Sequence, residues 1–138
     1  MKKIVLAISL LLFLSGSFAV SYQIDDDEDK CMTDSANYED MIKCVKTAQT
    51  SWQKEIDTNL SSLKALMSKK DFDSLKQSQK EWEQFKKSEF NSIESVIHSR
   101  DNSVDTIYLY ENFKKDTLKQ RAITLFGYTQ VILDSKEL

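Results

Sequence analysis

Proline is absent from the 138 residues, glycine occurs only at positions 16 and 127, and histidine only at 98. Tight turns draw on glycine and proline, and a sheet protein of this length needs turn residues roughly every 8–12 positions. A chain this poor in both is excluded from the all-β sandwiches and is expected to be built from long helices. Two cysteines and one distant histidine are too few for a zinc centre, which takes three or four ligands. No glycine-rich phosphate loop or nucleophile elbow is present. No basic stripe marks a nucleic-acid surface. His98 falls at the polar end of a helical run, where such a residue reads as surface. The expectation is a protein without catalytic residues, cofactor or metal.

Long apolar runs are also missing, except at the start. Lys2 and Lys3 precede an apolar stretch from Ile4 to Leu14 interrupted only by Ser9, and Ser17-Phe18-Ala19 places small residues at the −3 and −1 positions of a cleavage site. This is the pattern of a secretory signal peptide. The run is well short of the ~20 residues that span a bilayer. The residue after Leu14-Ser15-Gly16 is Ser17, not the cysteine that carries a lipid. The expectation is a signal over residues 1–19, cleavage near Ala19, and a periplasmic or secreted chain with no membrane anchor in its mature form.

Past position 19 the chain holds 17 basic and 22 acidic residues, a net charge of −5. The whole excess lies in Asp25, Asp26, Asp27, Glu28 and Asp29. Such a run reads as a solvated, largely flexible arm over residues 20–34, and it can also steer a basic partner. The alternating ligands and central glycine of a calcium loop are not there.

Both cysteines, Cys31 and Cys44, fall in one short stretch, CMTDSANYEDMIKC. In the oxidising compartment that export implies, they read as a disulfide. Closing so short a loop stabilises by roughly 3 kcal/mol in the chain-entropy account. A redox pair would be spaced CxxC. The bridge is expected to pin an irregular segment to the first helix.

Apolar residues then recur at helical spacing. The first run, about 37–68, carries Met41, Val45, Ala48, Trp52, Ile56, Leu60, Leu63 and Met67, with Ser35 or Asn37 as cap. The second, about 72–98, starts at Asp71 or Asp73 and carries Phe72, Leu75, Gln79, Trp82, Phe85, Phe90, Ile93, Val96 and Ile97. A polar break follows, and a third run spans about 104–134. The first half of that run is broadly apolar, with Leu109, Tyr110 and Phe113 off the main stripe. It is either buried on several sides or broken between Asn112 and Asp116. Gly127 inside it costs ~1 kcal/mol relative to alanine, and would let a neighbour approach closely. Short connections make such helices antiparallel. The expected fold is all-α: a small up-down-up bundle of three long helices over residues 35–138, with Trp52 and Trp82 in its middle.

The ordered set Cys31-x-Thr33, Met41-x-x-Cys44, Ala48, Trp52-x-x-Glu55, Leu60-x-x-Leu63 and then Leu75-Lys76-x-Ser78-Gln79-x-x-Trp82-x-x-Phe85 resembles the LprI-like lysozyme-inhibitor family of small exported bacterial helical proteins. The likeness covers roughly Cys31 to Phe90 and continues to Arg121 and Leu125, which are similar to that family's late R-x-x-x-L helix. Many members carry a further cysteine where this chain has Phe90, so packing of Phe90 is expected to replace a second disulfide.

The resemblance implies a non-catalytic protein of the cell envelope that binds and inhibits lysozyme. On this reading Thr33, Met41, Trp52, Glu55, Leu75, Gln79, Trp82, Phe85 and Arg121 are scaffold. Charge suggests the partner-binding residues: Asp25, Asp26, Asp27, Glu28, Asp29, Asp34, Glu39 and Asp40, facing the cationic rim of a basic lysozyme. A second reading is an adaptor or immunity-type protein that binds another partner through a helical face. The apolar patch Ile107, Leu109, Tyr110 and Phe113 motivates it.

Overall fold

The computed structural model describes residues 16–135, with side chains from Gln23 onward. Of the expected leader, residues 1–19, positions 1–15 lie outside the described residues. Four α-helices run through the described chain: α1 (Gly16–Thr33), α2 (Tyr38–Leu66), α3 (Lys69–Arg100) and α4 (Val104–Asp134). No strand occurs among the described residues. The all-α expectation holds, and the number of helices is corrected from three to four.

The extra helix is α1, formed where a flexible arm was expected. Ile24 and Glu28, one turn apart, are both buried, so one face of α1 docks on the bundle. Only one apolar residue of the acidic stretch does this work. The hydrophobic pattern was therefore too thin to reveal a helix that charge pairing and a disulfide hold in place.

Local chemistry sets the helix ends. Asn37 caps α2, its side-chain oxygen accepting from the Asp40 backbone N–H at 3.0 Å. Glu39 and Asp40 in the first turn complement the positive end of the helix dipole. Met67 and Ser68, both extended, separate α2 from α3. Ser68, and not Asp71 or Asp73, is the cap of α3: its hydroxyl oxygen accepts from the Asp71 N–H at 3.2 Å and its proton goes to the Asp71 carboxylate at 2.7 Å. The α3–α4 turn closes around Asp101, whose Oδ1 accepts from the Ser103 hydroxyl (2.6 Å), the Thr106 hydroxyl (2.6 Å) and the Ser103 N–H (3.2 Å). These hydrogen bonds, those from Ser103 and Thr106 foremost, hold its carboxyl down at about 2.

The core lies mainly between α2 and α4. Ala48, Trp52, Ile56 and Leu63 meet Leu118, Ala122 and Leu125, and α1 adds Ile24. Each fully buried large apolar side chain contributes about 1.5–3 kcal/mol. α4 is one unbroken helix through Asn112–Asp116. It packs on α2 and also touches α3, but its broad apolar first half is covered only in part: Tyr110 and Phe113 are half-buried, and Ile107 and Leu109 are exposed.

α3 departs from the expected bundle. None of its side chains is fully buried, and it leans on the others through half-buried Phe72, Leu75 and Trp82. Trp52 is in the middle of the molecule; Trp82 is at its margin. The reason is legible in the stripe itself, where Gln79, Lys86 and Glu89 interleave with the apolar residues. Further along α3, Phe90 sets its ring edge-on to Phe113 of α4, with centroids 6.5 Å apart at 75°. This contact stands where a second disulfide was expected to be replaced by packing.

Candidate protein-binding surface

The end of the molecule formed by α1 and the α1–α2 turn gathers the acidic residues. A disulfide joins Cys31 to Cys44 with 5.7 Å between their Cα atoms, so the C-terminal end of α1 is held beside the first turns of α2. Ser35 tightens the same corner: its hydroxyl donates to the Cys31 carbonyl at 2.9 Å and lies 3.5 Å from the Cys44 sulfur. Thr33 donates its hydroxyl to the Asp29 carbonyl at 2.8 Å. These residues belong to a corner that sets the direction of α1.

The helix then sorts the acidic run by face. Asp25 and Glu28 turn inward. Lys119 of α4 bonds both oxygens of Asp25, at 2.8 and 2.7 Å. Lys115 donates to Glu28 at 2.9 Å, in a pair whose side chains are only 15% and 8% exposed. Burial pulls the Lys115 ammonium down, but the hydrogen bond and charge of Glu28 outweigh it and hold its pKa above the usual lysine value. Asp27 accepts from Gln23 at 2.7 Å. Asp40 pairs with Lys43 at 2.9 Å, and that hydrogen bond lowers its pKa. The rest point outward: Asp26, Asp29, Asp34 and Glu39 are exposed, and none forms an ion pair among the described residues. The eight acidic candidates therefore divide into two that hold the helix, two with local partners and four open to solvent.

Sequence reasoning missed the receiving lysines. The signal was present as matched spacing, with Asp25 and Glu28 three apart and Lys115 and Lys119 four apart, each pair on one face of a helix. It lay too far apart in the chain to be noticed. Gln49 was missed for the same reason: its amide donates to the Glu111 backbone carbonyl at 2.8 Å and to its carboxylate at 2.7 Å, tying α2 to α4. Lys114, 3.1 Å away, balances the buried Glu111 charge.

The scaffold residues assemble elsewhere. Arg121 donates from Nε to the Gln79 side chain at 2.9 Å, and its guanidinium is 5.4 Å from the Trp82 ring centroid. Lys86 lies 4.8 Å from the same ring. The Arg121 contact joins α3 to α4, whereas Lys86 lies on α3 itself, one turn along from Trp82. Burial lowers the Arg121 pKa. Glu55 is buried on α2 with Asn59, whose amide donates to the Glu55 carboxylate at 3.1 Å and to the Ala122 carbonyl at 3.4 Å. Leu75 and Met41 are half-buried, while Phe85 is exposed. Phe85 and Trp82 border an open groove of about 420 Å³ with Phe113 and Arg121. In the patch behind the adaptor reading, Leu109 and Ile107 are exposed, and Tyr110 and Phe113 are half-buried.

No helix among the described residues is long and apolar enough to cross a membrane. Nor do they hold a group of three His, Cys, Asp or Glu side chains placed to bind a metal ion. What the geometry offers is a rigid, acid-faced corner stapled to a helical scaffold. No curated protein matches the chain, and no solved structure matches it. A family model does: residues 30–125, which include the disulfide, both tryptophans and Arg121, match that of the lysozyme inhibitor LprI, and the chain belongs to this family.

Proposed function

We propose that this chain is an exported, non-catalytic inhibitor that binds lysozyme with the corner formed by α1 and the α1–α2 turn. One observation carries the reading. Asp26, Asp29, Asp34 and Glu39 are displayed together, without ion-pair partners among the described residues, on a segment that a disulfide fixes. Exposed carboxylates on a rigid support suit a cationic partner, because they raise the encounter rate and set orientation at little entropic cost. Animal lysozymes are basic, with a positively charged rim around the substrate cleft. Docking there blocks access to the glycan, and no bond need be made or broken.

The test is titration of the purified protein into a lysozyme activity assay, beside a variant with Asp26→Asn, Asp29→Asn, Asp34→Asn and Glu39→Gln. The variant spares Asp25 and Glu28, which hold α1, so its fold is kept. Wild type abolishes activity at micromolar concentration, and the variant inhibits at least about tenfold more weakly, which corresponds to 1.4 kcal/mol. Wild type that leaves several lysozyme types fully active defeats the reading. Equal inhibition by both proteins removes the acidic corner from it.

A further inference from the structure

Exposed carboxylates steer a cationic partner and orient it, but exposed charge pairs hold it weakly. Long residence needs a large side chain, aromatic above all, desolvated at the centre of the contact. Of the large apolar side chains exposed among the described residues, only Tyr38 stands at the acidic corner. It is the first residue of α2, directly after the Asn37 cap, and is 46% exposed. Helix formation does not call for tyrosine there, since an aromatic side chain loses rotamer freedom in a helix. Its ring rests on that of half-buried Tyr108 of α4, with centroids 5.7 Å apart at 58°. Val104, 39% exposed, lies one turn before Tyr108 on the same face of α4 and extends the apolar surface.

We propose that Tyr38, supported from behind by Tyr108, is the aromatic anchor of this surface, and that its occupant is the same cationic lysozyme the acidic corner attracts; the proposal rests on that reading. Charge selects the occupant. Exposed carboxylates without ion pairs among the described residues flank the two rings on both sides: Asp34 and Glu39 from the α1–α2 turn and α2, Asp105 from the first turn of α4. The nearest lysines of α2 are engaged, Lys43 by Asp40 at 2.9 Å and Lys46 by Glu111 at 3.8 Å. Lys30 and Arg100, at the ends of α1 and α3, are the cations left without an ion pair around them. An aromatic centre inside a polar rim is the anatomy of a protein interface. Here the rim is mainly acidic, so a partner that covers Tyr38 has to bring positive charge around it. The carboxylates then set how fast lysozyme arrives, and Tyr38 sets how long it stays.

Binding kinetics on immobilised animal lysozyme test the proposal, using the wild-type protein and the Tyr38→Ala, Tyr38→Phe and Asp105→Asn variants, with Val131→Ala as a control at an exposed apolar position elsewhere. All three positions are exposed, and circular dichroism verifies that each variant keeps its helices. Tyr38→Ala dissociates at least about tenfold faster than wild type while associating within about twofold of its rate. Tyr38→Phe keeps the ring and dissociates like wild type. Asp105→Asn associates more slowly, with a weaker dependence on salt. Val131→Ala matches wild type throughout. Tyr38→Ala that dissociates at the wild-type rate overturns the proposal and leaves the inhibitor reading standing. Wild type that binds no lysozyme defeats both. Val131→Ala as damaging as Tyr38→Ala also overturns the proposal, as does self-association of the chain that Tyr38→Ala abolishes while lysozyme binding is unchanged.

Discussion

Lys119 of α4 reaches Asp25 of α1 across 94 positions of sequence and bonds both of its carboxylate oxygens. One turn away Lys115 repeats the contact with Glu28. The two clamps have different worth. Asp25 and Lys119 are each about one third exposed, at 35% and 33%, so water screens the pair and its loss costs 1 kcal/mol or less, roughly. Glu28 is buried, and removing Lys115 leaves its carboxylate without the ammonium that compensates it. Lys115→Met is therefore expected to cost about 3 kcal/mol, and Lys119→Met about 1 kcal/mol or less. Urea denaturation of the two variants checks the ratio. Equal losses would show that burial does not grade these pairs.

Reduction of Cys31–Cys44 is expected to free α1 while leaving the α2–α4 core. The bridge closes a loop with a sequence separation of 13, worth roughly 3 kcal/mol. Ile24 and the two lysine clamps remain, so α1 loosens and does not unfold outright. Hydrogen exchange on protein treated with dithiothreitol should speed up at α1 amides and stay slow in the middle of α2. Uniform acceleration throughout would mean that the bridge stabilises the whole fold as one unit.

The two tryptophans, equivalent in the sequence pattern, should separate on mutation. Trp52 is completely buried, whereas Trp82 is half-buried at the α3 margin. Trp52→Ala is expected to cost about 3–5 kcal/mol. Trp82→Ala, which removes two cation–π contacts and partial packing, should cost roughly 1–2 kcal/mol. Denaturant midpoints read the difference. Trp82→Ala as damaging as Trp52→Ala would show α3 to be as integral as the other helices.

Helical spacing showed α2 and α4 because each carries an apolar face wide enough to be buried. The start of α2 was legible to within the choice of Ser35 or Asn37 as cap, and that of α4 in the polar break before Val104. The expected export and the closeness of Cys31 to Cys44 pointed to the bridge. α1 escaped notice because its docking rests on Ile24 and two long-range ion pairs, and no local pattern encodes a partner 87 or 94 positions away. The depth of α3 was overrated because periodicity places residues on a face and is silent about how far that face sinks. For the site, the acidic run was legible and its division was not. Which of Asp25 to Asp29 face inward depends on where Lys115 and Lys119 arrive.

Glu55 gives a pH dependence of unusual sign. The residue is only 9% exposed. Burial raises its pKa above 4.5, and the Asn59 hydrogen bond opposes that only in part. An acid whose pKa is raised on folding contributes stability that is fully present below the unfolded value of 4.5. That contribution is lost as pH rises through the higher folded value. Above that folded value the protein bears the cost of a buried, ionised carboxylate. Glu55→Gln keeps the shape and an oxygen to accept from Asn59, and removes the charge. The variant is expected to be more stable than wild type by roughly 1 kcal/mol at pH 7, with the difference vanishing towards pH 4. Asp101, held down at about 2, works in the opposite direction. Its contribution is present above 3.8 and fades only as pH falls through about 2, so it cancels when the two proteins are compared at each pH. Thermal melts of wild type and Glu55→Gln across pH 4–8 provide the readout. A constant difference over that range would mean that the Glu55 carboxyl is ionised equally easily in the folded and unfolded chains.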